Sequence, residues 1–165
     1  MPKNSQARRS PSTVSVTLTA EEIEDLAQLA AYYQRSMGFM RHVVRLTSPG
    51  PIRQRFDFVA EESRWLGAFV ESVRDQGAGG TREVAFTPRS LVAFWGRALS
   101  SLNSKRSRRR LSAAQLAARE VLAGKLGRAT EKLWLRDPGI VAGEIATRRA
   151  PEAGWMREQL EGPND

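Results

Sequence analysis

Cysteine is absent from the 165-residue chain, which excludes disulfide scaffolds, thiolate metal sites and cysteine nucleophiles. Histidine occurs once, as His42, with no clustered partners for a metal, and neither a Ser-His-Asp set nor zinc-ligand spacing appears. There is no phosphate-cradling glycine loop. No apolar run approaches the length of a membrane span, and the first residues, MPKNSQARRSPST, lack the apolar core of a secretory leader. These absences lead us to expect a cytoplasmic, non-enzymatic protein with no cofactor, no metal and no membrane partner. The pair Glu21 and Glu22 opens a helix and reads as capping and dipole chemistry, not catalysis. Trp65, Trp95, Trp134 and Trp155 read as core or interface residues.

Positive charge is what the chain has in excess, a net +8, and it is concentrated. Residues 103–136 carry ten Lys/Arg against two Glu, whereas 137–165 carry three Arg against six acids. A basic block beside near-neutral elements points to a polyanion-binding face. Its densest part is Lys105, Arg106, Arg108, Arg109 and Arg110.

Hydropathy patterning suggests a tandem repeat. Residues 15–33 and 55–73 align without a gap and share Ala-Glu-Glu, at Ala20-Glu21-Glu22 and Ala60-Glu61-Glu62. Each copy passes from period two to period 3.6, a strand running into a helix. The first strand is predicted at 13–18, with Val14, Val16 and Leu18 on one face and Thr13, Ser15 and Thr17 on the other. Thr19-Ala-Glu-Glu22 is a capping box that starts a helix at Ala20. Gln34 to Gly38 should break it, a second helix should carry Phe39 to Val44, and Pro49-Gly50-Pro51 should end the unit.

The second strand is predicted at about 52–58, with Arg53, Arg55 and Asp57 outward, followed by a helix over about 60–76. A competing register places it at Arg82-Glu-Val-Ala-Phe-Thr87, with helices over 88–102 and 111–123. In either register, Thr87-Pro88 starts a helix that runs to about Leu102. A long helix is expected from Ser112 to Leu135, then short helices around Ile145 and Trp155. Two strands in one chain suggest a two-stranded antiparallel ribbon, an element that fits the DNA major groove.

The order strand, helix, turn, helix, with Thr-x-Glu-Glu, Arg35-Ser36 and Phe39-Met-Arg-His-Val-Val-Arg45, resembles the ribbon-helix-helix DNA-binding superfamily across residues 13–46. Two such units in one chain resemble the accessory proteins of conjugative plasmid and T-DNA transfer. The resemblance implies a mainly α fold with a short β-ribbon, a tandem pseudo-dimer and a C-terminal helical extension. The expected organisation is a disordered basic arm at 1–12, a core at 13–102 (copies 13–48 and 52–102), and a basic segment, long helix and acidic tail at 103–165. It implies double-stranded DNA and a relaxase or other transfer protein as partners, bound as a monomeric pseudo-dimer or a higher assembly on DNA. Base readout would fall to Arg53, Arg55, Asp57, Thr13, Ser15 and Thr17. Phosphate contacts would come from Arg35, Ser36 and Gly38, from Thr87, Arg89 and Ser90, and from the five cations of 105–110. Two other readings remain open: a transcriptional repressor or antitoxin, and a helical module that binds RNA or protein.

Overall fold

The computed structural model describes residues 13–46, 48–77 and 79–162. In chain order they form β1 (Val14–Leu18), α1 (Ala20–Arg45), α2 (Pro51–Asp75), β2 (Arg82–Phe86), α3 (Pro88–Asn103), α4 (Lys105–Arg108), α5 (Ala113–Arg136), α6 (Pro138–Ala146) and α7 (Ala150–Glu161). The fold is mostly helical, with one two-stranded antiparallel sheet of β1 and β2. The chain divides into two compact units. Leu18–Arg82 forms one; the chain through Thr17 and the chain from Glu83 onward form the other.

Both strands are half-buried in the same pattern. Val16 and Leu18 in β1, and Val84 and Phe86 in β2, are buried; Ser15, Thr17, Glu83 and Ala85 are exposed. Each strand runs into a threonine cap. Thr19 accepts from the Glu22 backbone N–H at 3.2 Å, and the Thr19 N–H donates back to the Glu22 carboxylate at 3.2 Å, so the expected capping box is present. Thr87 Oγ1 accepts from the Ser90 N–H at 3.1 Å, and Pro88 occupies the first helical position, where its missing N–H is no loss.

The second strand lies at 82–86, which corrects the preference for 52–58. Residues 51–75 are helix throughout. Gly50-Pro51 starts that helix as well as ending what precedes it, and the Gln54 N–H closes the first turn on the Gly50 carbonyl at 3.0 Å. Phe56, Val59, Ala60, Ser63, Leu66, Val70 and Val73 form its half-buried to buried stripe. That spacing is helical, so the short alternation of Ile52, Gln54, Phe56 and Phe58 is incidental to it. Ile52, which a strand with Arg53 outward would turn to its other face, is 70% exposed. The shared Ala60-Glu61-Glu62 therefore lies inside α2 and marks no helix start. By contrast, β2 is punctuated on both sides. Gly79 and Gly80 adopt φ of 81° and 78°, a left-handed turn that side-chain-bearing residues rarely take, and Thr87-Pro88 closes the strand.

The break expected at Gln34–Gly38 is also absent, because α1 continues to Arg45. One glycine inside a helix costs only ~1 kcal/mol relative to alanine, too little to interrupt 26 residues packed along α2. Between α1 and α2, Arg74 holds Glu24 through both nitrogens of its fork, at 2.8–3.2 Å, and also reaches Glu71 at 3.2 Å.

In the other unit α3 is the central helix, packed against α5, α6 and α7. Leu91 to Leu99 are all buried, and Phe86 of the ribbon meets Phe94 edge-to-face at 6.1 Å. Two glycines permit the close packing. The Glu152 carboxylate of α7 lies where a Cβ on Gly96 would be, and the Trp95 indole nitrogen would be 2.9 Å from a Cβ on Gly127 of α5. Glu152 is buried yet satisfied: Arg148 donates to it at 2.7 Å and the Ser100 hydroxyl at 3.1 Å. Short helices do stand around Ile145 and Trp155, as expected, and they are part of this core.

Candidate nucleic-acid interface

The solvent face of the ribbon follows from strand alternation. With Val16, Leu18, Val84 and Phe86 turned inward, the residues between them must point out. Ser15 and Thr17 of β1 and Glu83 and Ala85 of β2 are all exposed, as is Thr13 just before β1. Apart from Glu83 these side chains are short, so another surface could approach the ribbon backbone closely. Lys125 of α5 donates to the Thr17 carbonyl at 3.1 Å and so ties the long helix to β1.

The basic block belongs to the same unit, and it is ordered. Ser104 ends α3 and caps α4, accepting from the Ser107 N–H at 3.4 Å. The Arg108, Arg109, Arg110 and Leu111 N–H groups bond carbonyls three or four residues back. Ser112 and Gln115 then form a capping box that starts α5. Lys105, Arg106, Arg108, Arg109 and Arg110 thus ride on a wound connection between two helices, with every side chain exposed. Closely spaced guanidinium and ammonium groups on a wound backbone sum to a local positive potential.

The structure brings together only part of the expected site. Thr13, Ser15 and Thr17 do share the outer side of the ribbon. Arg53, Arg55 and Asp57 do not: they lie in the first turns of α2, in the other unit. Arg55 is half-buried, its guanidinium carbon 5.5 Å from the Phe58 ring centroid. Contact between residues three apart is a helical geometry that a strand would place on opposite faces. Arg35, Ser36 and Gly38 lie within the continuous α1, so no helix begins there to offer free N–H groups; their side chains lie outside the described set. The Thr87 and Ser90 hydroxyls are engaged with each other at 3.0 Å, and Ser90 also donates to the Thr87 carbonyl at 3.1 Å. Their chemistry is capping, and Arg89 between them is exposed.

Glu83 and Ala85 are the residues the preferred strand assignment missed. A second periodicity would have found them: Val16, Leu18, Thr19 and Ile23 match Val84, Phe86, Thr87 and Leu91 at one constant offset, and every pair but the threonines is buried. Arg74 is held above the ordinary arginine range by its hydrogen bonds to Glu24. Among the described residues no cluster of three or more His, Cys, Asp or Glu side chains could hold a metal ion. No described helix is long and apolar enough to cross a membrane. No protein family, curated relative or solved structure matches the chain.

Proposed function

We propose that the chain is a non-enzymatic, double-stranded DNA-binding protein built as a single-chain, tandem ribbon-helix-helix pseudo-dimer. In this reading β1 and β2 enter the major groove, which admits a two-stranded β-ribbon. The observation that carries it is the intramolecular ribbon: two strands of one chain, each leading through a threonine cap into a helix, with buried inner and exposed outer residues. The ordered cations at 105–110, in the same unit, supply charge for phosphate contacts that hold the duplex without reading it. Because the strands differ in sequence, their outer faces differ too, and an asymmetric target follows. An accessory role at a plasmid or T-DNA transfer origin, beside a relaxase, is the setting the architecture best suits.

Fluorescence anisotropy at one fixed salt concentration tests this reading. Labelled duplex should bind more tightly than single strands of the same sequence, and a preferred duplex should exceed random duplex. Equal binding of single strands, duplex RNA and heparin would reject groove recognition and favour a general polyanion or RNA-binding module.

A further inference from the structure

The ribbon's outer face has an unusual donor and acceptor balance for a DNA reader. Ser15, Thr17, Glu83 and Ala85 include no arginine, lysine, asparagine or glutamine. The bidentate donors that select guanine, and the amides that select adenine, are therefore missing from the outer face, since Arg82 of β2 falls in register with the inward residues and donates to the Val73 carbonyl at 2.7 Å. What remains is a carboxylate that only accepts, the hydroxyls of Ser15 and Thr17 with that of Thr13 just before β1, and the methyl groups of Thr17 and Ala85. In the major groove, cytosine presents an N4 amino donor and thymine a C5 methyl. Guanine O6 and N7 are both acceptors, so a carboxylate facing them is repelled.

We infer that this face selects pyrimidines in duplex DNA, with Glu83 accepting from a cytosine N4–H and Ala85 and Thr17 packing on thymine methyls. The inference rests on the DNA-binding reading above and adds the identity of the bases read. Short side chains fit this role because they let the ribbon backbone approach the groove floor, where N4 and the methyl lie. The charge of Glu83 opposes the phosphates, so it lowers overall affinity while sharpening the choice of base. The cations at 105–110 offset that repulsion.

The test uses the full chain and a randomised duplex pool at one fixed salt concentration, with sequencing of the retained DNA. Wild-type protein should enrich a cytosine position and adjacent thymines. Glu83→Gln keeps the shape of an exposed side chain and should fold alike by circular dichroism. It should weaken the cytosine preference on the order of tenfold and move that position toward adenine, which an amide reads through N6 and N7. Replacing thymine by uracil in the enriched site, which removes only the methyl, should weaken wild-type binding severalfold. If the pool binds but Glu83→Gln and uracil leave its preferences unchanged, the ribbon does not read these bases and the inference falls, while DNA binding stands. If no duplex is retained even at low salt, the DNA-binding reading falls with it.

Discussion

Thr19 and Thr87 stand at the same place in two similar segments, five-residue strands whose third and fifth residues are buried, yet the helices they cap are used differently. The helix after Thr19 is amphipathic, lies along α2 and is tied to it by an exposed ion pair, Arg74 with Glu24. The helix after Thr87 is surrounded by α5, α6 and α7, and ten consecutive residues of it, Ser90 to Leu99, are buried. Its polar anchor, Arg148 with Glu152, has both side chains about 5% exposed. The same start signal thus serves a two-helix hairpin in one case and the centre of a helical core in the other. The strand and cap define the ribbon; what the following helix buries is decided by its own sequence and its partners.

The sharpest way to break this comparison is to remove one member of the buried pair. Arg148→Ala leaves Glu152 buried with only Ser100, and should cost about 3–5 kcal/mol, read as a lowered urea midpoint. Gly96→Ala forces the same carboxylate aside and should cost about 1–3 kcal/mol as overpacking, in the same assay. Thr19→Ala and Thr87→Ala should each cost ~1 kcal/mol, since each removes one cap. A much larger loss at Thr87 alone would show that its hydroxyl does more than cap α3. Arg74→Ala should move the midpoint least, by under ~0.5 kcal/mol, because an exposed ion pair is screened by solvent. In DNA binding, Arg53→Ala and Arg55→Ala should leave base preference unchanged, since neither residue is on the ribbon.

Where local chemistry decided the structure, the sequence was legible. Thr19-Ala-Glu-Glu22 and Thr87-Pro88 are complete start signals within four residues, and both helices begin there. The stripe Leu91, Phe94, Trp95, Ala98 and Leu99 is long and strictly helical, and all five are buried. The strand at 52–58 failed because four alternating residues weigh little against a continuous stripe from Phe56 to Val73, and because Pro51 can open a helix as readily as it closes one. The competing assignment at 82–87 had the stronger punctuation, two glycines before it and Thr-Pro after it. The full set of partners of Glu152 could not be read from sequence. Arg148 is a local partner four residues away, but Ser100 joins α3 to α7 across about fifty residues, and nothing local marks Gly96 as the place a carboxylate must lie.

Groove binding with phosphate support from residues 105–110 is tested most directly by the salt dependence of duplex affinity. Each phosphate neutralised by a cation adds roughly 0.9 to the slope of log K against log salt. Replacing Lys105, Arg106, Arg108, Arg109 and Arg110 by serine, all exposed and outside the packed core, should leave the fold intact. It should weaken binding to every duplex and flatten the slope by up to ~4–5 units, with the ranking of sites preserved. An unchanged slope would contradict it, and would mean that these cations face solvent or a protein partner and not DNA.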